Sequence, residues 1–153
     1  MNADDKKLIE EATASLKLLD IMLIGSHFSR PEDFPLPGDS QFSKLEKRVI
    51  GFLTEEHNQQ TILMVKLGLG VRLVDHNDNE RVYTQIEGDF LALYLVESTL
   101  TDSHFQAFSE FNSLHNVWPF WRQHVFDIVQ RGRLPTIDIP LMAGKKLNVE
   151  KFE

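Results

Sequence analysis

The sequence predicts an α+β domain: a four-stranded antiparallel sheet, formed as a meander with a long first crossover, that carries a long kinked C-terminal helix on one face. Four stretches of alternating apolar and polar residues follow one another between residues 16 and 95, which is the pattern of consecutive strands. A helical period replaces this alternation after residue 99. Strands that run consecutively before a helix are typical of an antiparallel sheet with helices on one face.

The composition is that of one ordinary globular domain. The chain has 153 residues, of which 42% are hydrophobic and 25% charged, so it holds enough apolar material for a core. The formal net charge of −7 argues against nucleic acid as a partner, because phosphate binding needs a basic surface. The chain has no cysteine, which excludes disulfides, thiol catalysis and thiolate metal sites.

The two ends of the chain are polar. We interpret residues 1–14 as a flexible tail or one turn of helix, residues 15–142 as the domain, and residues 143–153 as a short C-terminal tail. The N-terminus lacks the hydrophobic region of a signal peptide, and no apolar run approaches the ~20 residues of a membrane span. We therefore expect a cytoplasmic protein that does not insert into a membrane.

The first strand is predicted over Leu16–Phe28, and it is apolar on both faces. Leu19, Ile21 and Leu23 alternate with Leu18, Met22 and Ile24. A strand with two apolar faces is covered twice, which we expect here from its own helix on one side and from a partner subunit on the other.

A long irregular loop is predicted next, over Arg30–Lys44, because prolines and a glycine interrupt any regular pattern. It carries three apolar side chains, Phe34, Leu36 and Phe42. Loops of this length are often functional. Two interpretations stay open: the side chains pack the loop onto the core, or they form part of a binding surface.

Three further strands are predicted over Leu45–Glu56, Thr61–Val74 and Val82–Leu95. The second of these has the clearest alternation, and the acidic turn before the last one indicates a hairpin. In the last strand, Gly88 and Asp89 suggest a β-bulge. The unbroken apolar row of the middle strand consists of Leu63, Val65, Leu67, Leu69, Val71 and Leu73.

The C-terminal helix is predicted in two parts. Thr101 or Asp102 can cap the first part, whose phenylalanines recur every three residues up to Phe111. Asn112–His115 is expected to break or kink it, and Pro119 suits the first turn of the second part. The apolar stripe of the second part consists of Trp118, Trp121, Val125, Ile128 and Val129.

The second part of the helix is expected to stop at Arg131–Gly132. A cation favours the negative helix end, and glycine can adopt the left-handed conformation that often follows it. Pro135 then favours an extended chain. Ile137, Ile139 and Leu141 alternate with polar residues or proline there, as on a strand or a bound edge segment.

No arrangement of side chains typical of catalysis occurs in the sequence. Its six histidines are scattered without an HExxH pair, and it has no P-loop, GxGxxG or GxSxG motif. His104 and Glu110 could suggest acid–base chemistry, but helix-surface groups explain them as well. We expect neither a cofactor nor a metal site, and we do not expect an enzyme.

The stretch from Asn116 to Ile137 resembles the SecB-like protein-export chaperones. In members of that family, the second part of the long helix begins with an asparagine, followed by a proline, aromatic residues and an arginine. It ends with Arg-Gly, and an apolar run that contains proline follows. The order of predicted strands over Leu16–Met142 is also similar to that family. The matching residues are Asn116, Pro119, Phe120, Trp121, Arg122, Arg131, Gly132, Leu134, Pro135 and Ile137.

This resemblance implies an ATP-independent holdase, which binds unfolded polypeptides in the cytoplasm, with possible use in protein export. It also implies a homotetramer, built as a dimer of dimers. A chaperone needs an apolar and adaptable surface rather than a catalytic constellation, and a negative surface favours clients with basic stretches. The implied groove residues for client peptides are Phe34, Leu36, Phe42, Ile137, Ile139, Leu141 and Met142.

The sequence departs from family members that deliver clients to the SecA motor. Those members carry acidic residues along the first strand, where this chain has Gly25 and Ser29, and they continue into a second helix after the region of Met142. Delivery to SecA is therefore not expected. Alternatives are a dedicated SecB-like interaction module or an antitoxin-associated chaperone for one specific partner; an enzyme on this scaffold would require turnover of a small molecule.

Overall fold

The computed structural model describes residues 2–33, 36, 40–75, 77–78, 80–137 and 139, with only the backbone described over 40–50. These residues form three α-helices and four strands, and a π-helical turn joins the last two helices. In chain order, the elements are α1 Ala3–Ser15, β1 Leu16–Ser29, β2 Ser40–His57, β3 Gln60–Asp75, β4 Val82–Val96, α2 Asp102–Phe108, the π turn Ser109–Ser113, and α3 Leu114–Gly132.

The four strands form one antiparallel sheet in the order β1-β4-β3-β2. The last three strands are a meander, and β1 lies at the opposite edge from β2, so the connection between them crosses the sheet. This architecture confirms the predicted fold class. β2 begins at Ser40, so the predicted start at Leu45 is wrong; backbone pairing with β3 extends the strand into the proline-rich loop.

One face of the sheet forms the core together with the helices. The predicted apolar row of β3 is buried along its whole length, which confirms its assignment to the core. The matching row of β4 is also buried, because alternate side chains of paired strands point to the same face. That second row consists of Thr84, Ile86, Gly88, Phe90, Ala92 and Tyr94.

The irregularity predicted at Gly88 and Asp89 of β4 occurs instead in the partner strand β1. The pairing of β4 with β3 is continuous there, but its pairing with β1 shifts register opposite Phe90 and Asp89. The irregularities of that edge lie in β1, between Leu18 and Asp20 and between Leu23 and Gly25. Gly88 has another reason to be glycine. A Cβ atom at this position would lie 3.1 Å from the Phe90 ring, and the rings of two α3 residues lie almost as near.

The predicted tail at residues 1–14 is instead mostly a helix, α1. The Asn2 side chain caps it by accepting a hydrogen bond from the Asp5 amide at 2.7 Å. Ala12 is fully buried, and the Glu11 carboxylate contacts the imidazole of His104 on α2 at 2.7 Å. The sequence indicated at most one turn of helix here, whereas α1 has 13 residues, with Ala12 as its buried residue.

The C-terminal helix continues through the break predicted at Asn112–His115. A π-helical turn precedes α3, and Pro119 lies at the sixth residue of α3 rather than in its first turn. Proline removes one donor to the carbonyl four residues earlier, here that of His115. Both residues are exposed, so water can bond that carbonyl without loss of the helix. At α2, Thr101 is the N-cap as predicted.

The end of α3 differs from the prediction in one residue. Arg133, with φ of 51°, adopts the left-handed conformation that was expected at Gly132. The amide of Leu134 donates to the Val129 carbonyl at 3.1 Å and closes the last turn. Gly132 is required by packing: a Cβ atom there would lie 2.6 Å from Cζ of Phe28 at the end of β1.

The Gly132→Ala variant tests this contact. Alanine is favoured over glycine in helices, but the added methyl group overlaps the Phe28 ring, so we expect a loss of about 1 kcal/mol in the free energy of unfolding. Urea denaturation of the variant measures the change. In a Phe28→Leu background, which removes the ring, the same substitution should be neutral or stabilising; equal losses in both backgrounds would contradict the assignment.

Candidate functional site

A cleft of about 320 Å³, lined by apolar and polar side chains, lies between α3 and the extended segment that follows it. Helical spacing explains the α3 side, since residues four, seven and eight positions apart share one face. On the other side, Pro135 prevents continuation of the helix, and the chain turns back along α3. The residues that line the cleft are Arg122, Phe126, Val129, Gln130, Thr136, Ile137 and Ile139.

A side-chain contact holds the extended segment against the helix. The Nε–H group of Arg122 donates to the carbonyl oxygen of Ile139 at 3.2 Å. Leu134 and Ile137 are partly buried and pack against the core, and Ile139 belongs to the buried core cluster. The cleft wall is therefore anchored at both of its ends, although the segment lies in no strand of the described sheet.

The structure brings two of the predicted groove residues together, Ile137 and Ile139. Leu36 is buried, with 9% of its surface exposed, but it does not line this cleft. Phe42 lies in β2, where only the backbone is described. Three predicted groove residues lie outside the described residues: Phe34, Leu141 and Met142.

Sequence reasoning missed the helix side of the cleft. Phe126 is 59% exposed and lies off the apolar stripe of α3. The sequence carries no signal of this position, because single exposed apolar residues are common on protein surfaces. Arg122 was noted only for its match to the family pattern, and its neighbouring carbonyl partner comes from tertiary structure.

The two tryptophans on the apolar stripe of α3 are core residues. Trp118 and Trp121 are almost completely buried against the sheet. Asn116, which opens the pattern that resembles the SecB-like family, accepts a hydrogen bond from the Tyr94 hydroxyl at 2.7 Å. Burial raises the pKa of Tyr94 to about 12, so the phenol stays protonated and keeps this bond. These aromatic residues position α3 rather than form the cleft.

His124 lies on α3 and is partly buried. Its Nε2–H donates to the carbonyl oxygen of Glu87 on β4 at 3.3 Å, and its ring lies edge-on to Phe90. Partial burial is the largest influence and lowers the pKa of His124 below its ordinary value of 6.5, although the Glu87 bond and the nearby charge of Asp127 oppose it. The folded protein therefore favours the neutral imidazole.

This lowered pKa predicts a pH-dependent stability. The unfolded chain binds a proton on His124 at higher pH than the folded chain does, so the free energy of unfolding falls as the pH drops through 6.5. Urea denaturation at about pH 7.5 and about pH 5.5 measures the fall. His124→Gln should reduce it, whereas His115→Gln, at an exposed position on the same helix, should not. An unchanged fall in His124→Gln would contradict the prediction.

A second apolar surface lies at the β1 edge of the sheet. Five large side chains of β1 are between 36% and 48% exposed. The outer edge of this strand also presents backbone N–H and C=O groups, which in an edge strand are available for pairing. The five residues are Leu18, Leu19, Met22, Leu23 and Ile24.

Two kinds of site are not found in the part of the chain that the structure describes. No described helix combines the length and the hydropathy that crossing a membrane requires. Likewise, the described histidine, aspartate and glutamate side chains form no group of three that could hold a metal ion.

Comparison with known proteins gives a match in structure only. No family model and no curated protein sequence matches the chain. Among solved structures, the Mycobacterium tuberculosis SecB-like chaperone Rv1957, in complex with a ChAD peptide from the HigA1 antitoxin Rv1956, aligns with a TM-score of 0.75 at 16% identity, over 90% of this chain and 97% of the other. The chain has the SecB-like fold. The strand order and the helix after the last strand, both predicted from the sequence, belong to this architecture.

Proposed function

We propose that the protein is an ATP-independent chaperone that holds apolar segments of non-native polypeptides in the cleft beside α3. The observation that carries this proposal is the cleft itself, a concave site of about 320 Å³ on a SecB-like fold, lined by both apolar and polar side chains. We place the protein in the cytoplasm, without catalysis, without delivery to SecA and without nucleic acid as a partner.

The lining of the cleft suits an extended peptide. Phe126, Val129 and Ile137 offer apolar surface for a client side chain. Gln130 and Thr136 supply amide and hydroxyl groups that can bond a peptide backbone regardless of its sequence. A site that uses apolar contact and backbone bonds accepts many sequences, which is what a holdase requires.

A partner-specific chaperone is the second candidate, and the structural comparison favours it. The similar solved structure is described as a SecB-like chaperone bound to a peptide from an antitoxin. This chain, which has the same fold, can bind a segment of one partner in its own cleft. The range of peptides that bind discriminates the two candidates, since a holdase binds several unrelated apolar segments and a dedicated module binds few.

The Phe126→Ser variant tests the cleft directly. Loss of the ring removes apolar surface from a client side chain, so we expect affinity for an apolar peptide to fall about tenfold, with weaker suppression of aggregation of unrelated denatured proteins. Fluorescence anisotropy and light scattering measure these two effects. Phe120→Ser is a matched control, because Phe120 is also half-exposed on α3, at 50%, and does not line the cleft.

Equal losses of peptide affinity in Phe126→Ser and Phe120→Ser would show that the cleft is not the peptide-binding site. If the wild-type protein neither binds apolar peptides nor suppresses aggregation of any client, the chaperone proposal itself fails. Two further predicted groove residues enter the same assay: Phe34→Ser and Phe42→Ser should weaken binding if these side chains form part of the client surface. Serine substitutions at Leu141 and Met142 should likewise weaken binding if these side chains contact the client.

We also propose that the protein assembles as a homotetramer, a dimer of dimers, through the β1 edge. Pairing of two β1 strands would satisfy their edge N–H and C=O groups and form a dimer. The exposed apolar side chains of β1 would then lie on the faces of the joined sheet, where a second dimer can cover them. Several clefts on one assembly would also raise the effective concentration of clefts for a long client.

Charge on this edge should prevent assembly. In the Leu19→Asp/Leu23→Asp variant, carboxylates from two copies would face each other, so we expect light scattering to report a lower mass with unchanged far-UV circular dichroism. Val82→Asp is the control, since Val82 is 40% exposed but lies beyond the stretch of β4 that pairs with β1. A full-size assembly in the double variant would exclude this edge as the interface.

A further inference from the structure

The charge of the cleft is opposite to that of the whole chain. The formal net charge is −7, which by itself favours clients with basic stretches. Of the described residues that line the cleft, however, Arg122 is the one that carries a charge. Asp127, on the same helix, lies outside the lining, and its carboxylate accepts a hydrogen bond from the Gln123 amide at 2.8 Å. A ligand in the cleft therefore meets a local positive charge.

The position of Arg122 is set by the fold. Its Nε–H group donates to the carbonyl oxygen of Ile139, which orients the guanidinium at the cleft wall. A guanidinium carries five N–H donors in a fixed planar arrangement, and its terminal pairs match the two oxygens of a carboxylate. Arg122 is also partly buried, which strengthens its interaction with an anion relative to that of a fully exposed residue.

The cation lies next to the apolar part of the site. Arg122 and Phe126 are four residues apart on α3, so their side chains are neighbours on one helix face. We infer that the cleft selects peptide segments in which an apolar anchor is close to an aspartate or glutamate side chain. This inference rests on the proposed function and states which peptide class the same site prefers.

In an extended peptide, residues two positions apart lie on the same side of the backbone. One such residue can place its apolar side chain against Phe126 and Val129, while the other places a carboxylate at Arg122. A basic residue at the second position would instead meet a like charge, which disfavours binding. The cleft would thus discriminate among apolar segments by the charge beside the anchor.

The test uses short peptides with both termini blocked, so that only the side chain supplies charge. They share a phenylalanine anchor and differ at the position two residues after it, which is aspartate, asparagine or lysine. Anisotropy titration of the full chain should show the aspartate peptide binding about fivefold tighter than the asparagine peptide, with the lysine peptide weakest. The preference should shrink as salt concentration rises.

The Arg122→Gln variant should lose this preference, measured as the ratio of its affinities for the aspartate and asparagine peptides. Arg131→Gln is the matched control, because Arg131 lies on the same helix outside the cleft lining and its loss should leave the preference intact. Affinity for the asparagine peptide reports whether the cleft wall survives the loss of the Ile139 contact. Arg122→Lys, which keeps the charge without that contact, should retain part of the preference.

Three results would overturn the inference. They are equal binding of the three peptides by the wild-type protein, tighter binding of the lysine peptide, or a preference for aspartate that persists in Arg122→Gln. If all three peptides bind equally well, the inference alone fails and the proposed chaperone function stands. If none of them binds, the proposed function at this cleft fails with it.

Discussion

The close approach of α3 to the sheet is the constraint on which the rest of the structure depends. Trp121 is buried against β4 beside Gly88. A side chain at Gly88 would crowd the Trp121 ring, so the glycine leaves room for the helix to approach. A second glycine, Gly132, lets the end of α3 pass the ring of Phe28 on β1. The helix is thus held to the sheet at both ends of its second half. Its outer face, with Arg122 and Phe126, is the part left to form a cleft.

The sheet could be predicted from the sequence because its information is local. Alternation along β3 specified which face is buried, and tertiary contacts did not change that assignment. The errors arose where packing at a distance decides the outcome. Gly132 suits a left-handed helix end by its local sequence, but Arg133 adopts that conformation, and Phe28, far away in the chain, explains the glycine. A sequence pattern does not contain such a contact.

The candidate site was predictable only in part for the same reason. Ile137 and Ile139 stand out through their alternation after Pro135, and they do line the cleft. Phe126 and Arg122 belong to the opposite wall, and nothing in their own stretch of sequence shows that the extended segment returns to them. The sequence predicted the wall that the extended segment forms. The wall that α3 forms became evident only from the structure, in which the chain returns along that helix.

The two apolar surfaces differ in what they can hold. The β1 edge offers backbone groups and five large side chains along one strand, which suits a long and specific pairing. The cleft, at about 320 Å³, accommodates a few side chains, so its affinity for any single segment is limited by the small apolar area it buries. A chaperone built on such clefts holds a client firmly only when several of them act together, because each bound segment raises the local concentration of the next. Assembly through the edge would therefore be a condition of tight client binding rather than an addition to it.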